Sequence, residues 1–338
     1  MGRTGSIAAV VVIVLAGAIA VQADYVCGDV NNDGVGPYIT DLTYLVSYLF
    51  DSGPAPAVME SANIDGIIGP GGPVDVSDVT YLVAYMFSSG PEPVCGGGQP
   101  SEAIIADHNA AADFENIPAF WIDQARTTWD IYYMHTSHGS QIVTGMYVLR
   151  DSSSVFAYNQ GAGTLSLEEY GDDLGHNGDT NWVPETRLRL NQSGSTFNMV
   201  MWSWCGGASD NTEEGINIYL NKVNELEQTY PGVRFIYMTG HLDGSGPGGN
   251  LYARNNQIRD YCLANDKILF DFADIESYDP DGVWYPDDTD ACNWCSVWCG
   301  SHDCPPCGSC AHSHCFNCYQ KGRAFWWMMA RMAGWDGN

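Results

Sequence analysis

The chain has 338 residues, 45% of them hydrophobic and 12% aromatic, a globular composition long enough for two domains and unlike that of a disordered polymer. Its 41 acidic residues against 13 basic ones give a formal charge of −28, which argues against nucleic acid or anionic lipid as a partner and favours divalent cations. A surface of this kind also suits a saline habitat.

From the start of the chain, Arg3 precedes the apolar run "IAAVVVIVLAGAIAV", and "VQA" places small residues at Val21 and Ala23, ahead of Asp24. This pattern predicts a signal peptide over 1–23 and an exported, extracellular product with no membrane span after cleavage. An uncleaved anchor is the alternative. The 12 cysteines fit export, because disulfides persist in oxidising compartments. Cys27 and Cys95 bracket one segment, Cys205 and Cys262 stand alone, and eight crowd into 292–318.

Between the first two cysteines the sequence repeats itself. "GDVNNDGVGPYITDLTYLVSYLFDSGPAPAV" is echoed by "ANIDGIIGPGGPVDVSDVTYLVAYMFSSGPEPV". Each copy pairs an acidic, glycine-containing loop with an amphipathic helix, carrying Leu42, Leu45, Val46 and Leu49 in one and Val79, Leu82, Val83 and Met86 in the other. Each helix is expected to stop at "SGP". In the first loop Asp29, Asn31 and Asp33 alternate, Gly34 permits the bend, and Asp41 stands at the helix start, the hard-oxygen pattern that Ca2+ requires. The second keeps Asn63, Asp65, Asp75 and Asp78 around a "GIIGPGGP" insertion. The first loop is about one residue longer than the usual twelve.

This repeat resembles a dockerin-type pair of calcium loops, so residues 24–95 are expected to form a small all-α calcium-binding module. The resemblance implies attachment to a cohesin-like or cell-surface partner, often in polysaccharide-degrading assemblies. The module could instead pack on its own neighbour. Cys27 and Cys95 are expected to close it as a disulfide, with 96–101 ("GGGQPS") a flexible linker.

From residue 102 onward apolar strands alternate with helices: "NIPAFWIDQARTT" helix, "WDIYYM" strand, "SQIVTGMYVL" helix, "FNMVMWSW" strand, "NTEEGINIYLNKVNELEQTY" helix, "VRFIYMT" strand, "NNQIRDYCLAND" helix, "KILFDFA" strand and a final helix "KGRAFWWMMARMAGW". Short, continuously apolar strands between helices predict a parallel sheet covered on both faces, whose ligands bind at the carboxyl ends of the strands. Those ends carry the chemistry: "MHTSHGS", "WCGGASDN", "TGHLDGSGPGGN" and "DIESYDPDG".

"YYMHTSHGSQIVTGM", "MWSWCGG", "YMTGHLDGSGPGGNLYARNNQIRDYC", "LFDFADIESYDPDG" and "AHSHCFNCYQKGRAFWWMMARMAGW" together resemble a family of uncharacterised secreted bacterial domains, related by arrangement to the SGNH (GDSL-type) hydrolases. The resemblance implies a three-layer α/β/α fold of SGNH or flavodoxin-like type over 102–338 and a serine esterase activity. It places Ser137, in "HTS", at the nucleophile's position, with His312 as general base and His314 as the near alternative. It implies oxyanion donors among the amides near Ser137, Gly139 and Gly206, with Asn250 assisting. The usual "DxxH" pair is absent, leaving the third member open among Asp303, Asp274 and Glu276. A "GxND" block is replaced by "WCGG", and no "GxSxG" elbow occurs, which speaks against an α/β-hydrolase.

Two other readings use the same residues. His135, His138, His241, His312 and His314, with Asp243, could hold Zn2+ in a hydrolytic site, although no "HExxH" occurs. A non-catalytic binding or assembly protein is the third. In the 292–318 stretch, Cys304-x-x-Cys307-x-x-Cys310 and Cys315-x-x-Cys318 suit zinc or an iron–sulfur cluster, whereas disulfides are the alternative in an exported chain; either would fix His312 and His314 in place. The acidic segment with Asp279, Asp281, Asp287, Asp288 and Asp290 reads as a solvated loop or a calcium site. The company dockerins keep points to polysaccharide as substrate, with acetyl groups removed from it, and Trp121, Trp182, Trp202, Trp204 and Trp284 would permit sugar stacking.

Overall fold

The computed structural model describes residues 25–66, 74–88, 90, 92–93, 95 and 102–337. The leader 1–23, the linker 96–101 and most of the "GIIGPGGP" insertion lie outside the described residues.

The N-terminal part holds three helices: α1 (Ile39–Phe50), α2 (Met59–Ala62) and α3 (Val76–Ser88). In α1 and α3 the inward stripe is apolar, with Leu42, Leu45, Tyr81 and Leu82 buried. The glycine of each "SGP" closes its helix by donating back to an earlier carbonyl, Gly53 to Ser47 and Gly90 to Ala84. Cys27 and Cys95 are bonded. The helices do not stand apart from the rest of the chain: the buried Tyr81 ring meets Phe120 and Trp121 edge-on, at 6.2 and 5.8 Å.

The remainder runs β1 (Ile104–Ala106), α4 (His108–Asp113), α5 (Ala119–Thr128), β2 (Asp130–Met134), α6 (Ser140–Ser152), β3 (Ser166–Tyr170), α7 (Trp182–Leu190), β4 (Met199–Trp202), α8 (Glu213–Thr229), β5 (Arg234–Met238), α9 (Asn250–Ala264), β6 (Ile268–Phe270), α10 (Phe272–Ser277), α11 (Asn293–Cys299) and α12 (Cys315–Met332). The six strands form one sheet, every pair parallel, in the order β1-β6-β5-β4-β2-β3. Strands β4, β5 and β6 are buried throughout, and β2 in all but its first residue, as a sheet covered on both faces requires. One layer is built around α12, which packs on α4, α5 and α6; the opposite layer holds α8 and α9 against β5. This is the three-layer α/β/α architecture.

Some elements depart from expectation. "KILFDFA" supplies only three strand residues before turning into α10, because the Asp271 side chain caps that helix by accepting from the Asp274 amide. The edge strands β1 and β3 and the helix α7 lie outside the elements that the sequence pattern predicts: β3 ("SLEEY") buries only Leu167, so no apolar run announces it.

Two details fix how the layers meet. Gly145 of α6 and Gly322 of α12 lie back to back, where a Cβ on Gly145 would stand 1.8 Å from the Cys318 carbonyl oxygen. Lys321 of α12 is fully buried, 2.8 Å from Glu276 of α10 and 2.5 Å from the Gln141 side-chain oxygen of α6. The strand order reverses at β2: the chain steps from β2 to β3 on one side, then returns to β4 on the other. The crevice between the carboxyl ends of β2 and β4 is therefore the switch point, where α/β sheets bind their ligands.

Candidate active site

The residues following β2, β4 and β5 converge at that crevice. After β2 come His135 to Gly139, leading into α6; after β4 come Ser203 to Gly206; after β5 comes His241. The main chain ties these ends together, with Ser203 donating to Met134 O at 3.0 Å and Leu174 donating to Ser203 O at 3.1 Å.

Ser137 Oγ and His312 Nε2 are hydrogen-bonded at 2.9 Å. The two residues are 175 apart in sequence, and the disulfides bring them together. All eight cysteines of 292–318 are paired: Cys292–Cys295, Cys299–Cys304, Cys307–Cys315 and Cys310–Cys318. These cystines take every thiolate that zinc or an iron–sulfur cluster would need, so the disulfide alternative is the one adopted. His312 lies between Cys310 and Cys315, in a left-handed conformation (φ 60°) that is rare for a residue with a side chain. The Gln141 amide donates to the Ala311 carbonyl at 2.7 Å, anchoring the same turn to α6.

A stack of three imidazoles forms beside the serine. His138 is sandwiched between His241, at 3.7 Å and 2° between planes, and His312, at 4.6 Å and 14°. His138 Nε2 lies 3.0 Å from Asp290 Oδ2, and its Nδ1 3.2 Å from Cys205 Sγ. Burial, reinforced by the neighbouring His241, holds the His138 imidazole below its ordinary range, so it is neutral near pH 7. The Asp290 carboxylate is within 4.8 Å of a ring nitrogen of both His138 and His312.

The other sequence-predicted residues are placed elsewhere or otherwise engaged. His135 pairs with Glu169 at 3.0 Å. His314 caps α12, its ring nitrogen accepting from the Phe316 amide, so of the two candidate bases His312 is the one bonded to Ser137. Asp274 pairs with His108 at 2.5 Å and Glu276 with Lys321, and Asp303 is exposed. The Asn250 amide donates to the Ser209 and Asn211 carbonyls, so its N–H groups hold a loop and not an oxyanion. Gly139, packed against Tyr133 and His135, stands at the N-cap of α6, and Gly206 takes φ 89° after β4. Asp243 is exposed and accepts from the Ser245 amide. Of the five tryptophans offered for sugar stacking, Trp121, Trp182, Trp202 and Trp204 are core residues, and only Trp284 is exposed.

Asp290 and Cys205 acquire a place that sequence reading did not give them. Asp290 stands in an acidic loop resembling solvent-facing turns, and Cys205 reads as an isolated thiol. The signal for Cys205 was its position directly after a buried strand.

Beside the imidazole stack, on the β5–β6 side, lies a cavity of about 170 Å³ lined by Leu242, Tyr252, Arg259, Asp274, Tyr278 and Trp284 among others. It begins one residue beyond His241.

In the N-terminal loops, Asp29, Asp41, Asn63, Asp65 and Asp78 are buried. Asp41 Oδ1 and Oδ2 accept from the Asn31 and Tyr38 amides, and Asp33 Oδ1 from the Val35 amide. Asp75 accepts from the Ser77 amide. Asn63 Oδ1 is buried with no hydrogen-bond partner, and burial together with Asp65 pushes the Asp78 carboxyl up to about 9. An orphaned oxygen beside buried carboxylates is a donor set that fits a hard cation.

No family model matches this chain, and no curated protein matches it. Among solved structures, a candidate acylhydrolase from Bacteroides fragilis matches at 12% identity and a TM-score of 0.29, covering 48% of this chain and 79% of its own. That likeness bears on neither the fold nor the chemistry described above.

Proposed function

We propose that the chain is an exported carboxylic-ester hydrolase of SGNH type whose nucleophile is Ser137 and whose general base is His312. The observation that carries this reading is the 2.9 Å contact between Ser137 Oγ and His312 Nε2 at the switch point of the sheet. A serine hydroxyl is a weak nucleophile near pH 7 until an imidazole takes its proton. The main-chain N–H groups around Ser137 and Gly139, at the positive end of α6, are the oxyanion donors. Asp290 is the carboxylate that offsets positive charge on the imidazoles. Five disulfides among the described residues support export.

The N-terminal module is a dockerin-like unit in which Asp29, Asn31, Asp33 and Asp41 in one loop, and Asn63, Asp65, Asp75 and Asp78 in the other, hold Ca2+. It tethers the hydrolase to a cohesin-like or surface partner, and acetylated polysaccharide is the substrate class that fits such company. Export, tethering and substrate rest on the sequence patterns.

The decisive test is labelling of the purified chain by a fluorophosphonate probe. Labelling should persist in Ser140→Ala, disappear in Ser137→Ala, and fall by about 10³-fold or more in rate in His312→Ala. Labelling that survives Ser137→Ala would overturn the assignment. A second reading, a metal-dependent hydrolase, draws on the proximity of His138, Asp290 and His312. It requires stoichiometric zinc after dialysis and activity that a chelator removes.

A further inference from the structure

We propose that Cys205, His138 and Asp290 form a second covalent centre in the same crevice, a thiol nucleophile that takes acyl groups from thioesters. It uses a different nucleophile and a different base from the serine pair and shares with it only the Asp290 carboxylate.

The geometry is a complete relay. Cys205 Sγ lies 3.2 Å from His138 Nδ1, and His138 Nε2 lies 3.0 Å from Asp290 Oδ2. With the carboxylate accepting from Nε2–H, the neutral tautomer leaves Nδ1 as the acceptor facing the thiol. The low proton affinity of the buried His138 ring keeps that acceptor free near pH 7. Stacking between His241 and His312 fixes the ring, so the Nδ1 lone pair has one direction.

The thiol is also in the right place. Cys205 is half-buried at the carboxyl end of β4, and its sulfur is 3.8 Å from Ser137 Oγ, so one acyl carbonyl entering the crevice meets both nucleophiles. Ten of the chain's 12 cysteines are in disulfides. Of the two left as thiols, Cys262 is buried and its thiol is pushed far above the usual range by burial, whereas Cys205 faces a histidine.

Leaving-group chemistry selects the substrate. A thiolate that adds to an oxygen ester is itself the better leaving group and is expelled, whereas a thioester offers a departing thiolate of comparable quality. The Sγ–H proton passes to His138 Nδ1 as Sγ bonds to the acyl carbon. The carbon–sulfur bond of the substrate breaks, and the departing thiolate recovers the proton from His138. Water then attacks the Cys205 thioester, giving a proton to His138, and Sγ leaves and is reprotonated. The products are a carboxylic acid and a thiol, with nothing oxidised or reduced.

The test treats the full chain and its Ser137→Ala variant with the acetyl thioester of a small thiol, quenches in acid, and maps the acetyl group by peptide mass. Acetyl on Cys205, released by neutral hydroxylamine and retained in Ser137→Ala, is the expected result. In parallel, iodoacetamide should alkylate Cys205 and leave Cys262 untouched in the folded protein, with the Cys205 rate falling about tenfold in both His138→Gln and Asp290→Asn. Acetyl found only on Ser137, or a Cys205 rate unchanged in both variants, would overturn the proposal. Fluorophosphonate labelling of the same samples reports Ser137 alone, so the serine reading and the thiol reading fail separately.

Discussion

His138 is the residue in which burial, stacking and charge meet, and its titration has a sign that can be worked out. Its folded pKa is below the ordinary imidazole value of 6.5, so in the window just below 6.5 the unfolded chain binds more protons than the folded one. Stability therefore rises with pH through that window and is lost as pH falls through it. His108, raised by its Asp274 partner against the opposing effect of burial, works in the other direction, so the comparison must be made against a variant. Between about pH 7.5 and about pH 5.5, wild type should lose more stability to denaturant than His138→Gln. Equal losses would show that the ring titrates as if exposed. The residues of this centre were legible in the sequence to unequal degrees. Ser137 and His312 sit in motifs that announce them, while Asp290 is a loop carboxylate identical in kind to Asp287 and Asp288 beside it. Only the path of the chain after α10 distinguishes them.

The contact between α6 and α12 sets the distance between Ser137 and His312, since α6 begins just after the first and α12 just after the second. It is made by backbone on backbone. A methyl group on Gly145 would lie 1.8 Å from the Cys318 carbonyl, with main-chain atoms on both sides that have no rotamer to escape into. Gly145→Ala should cost about 1–3 kcal/mol or more and lower the fluorophosphonate labelling rate alongside stability; a stable, unaffected variant would mean that the helices slide freely. The Lys321–Glu276 pair links the same helices to α10, and Glu276 Oε2 also accepts from the Leu242 amide beside His241. Lys321→Met leaves a carboxylate buried without its cation, and the expected loss is about 3–5 kcal/mol in denaturant unfolding. Double replacement with Glu276→Gln should recover part of it. The central strands and long helices could be read from apolar runs and from Ile216, Leu220, Val223 and Leu226 along α8. The edge strands β1 and β3 could not, because a strand with one covered face and few residues leaves almost no periodic signal.

Across the whole molecule, the N-terminal helices share a hydrophobic cluster with the α/β/α body through Tyr81, Phe120 and Trp121. If the acidic loops hold Ca2+, a chelator should lower the unfolding temperature of the entire chain, and Asp78→Ala should remove most of that calcium response, as calorimetry would read directly. A calcium-independent unfolding temperature would leave the loops as self-capping turns. The duplicated loops are plain in the sequence; the packing of α3 on α5 is one of the two arrangements the sequence leaves open. The loop that delivers His312 has no sheet or long helix of its own; four cystines, the Gln141 bond to Ala311 and the start of α12 hold its course. Until those cystines form, the turn that carries His312 lacks most of what ties it to Ser137. If Ser137 and His312 act as proposed, the pair would stay latent wherever thiols are kept reduced and would be armed by the first oxidising environment the chain enters.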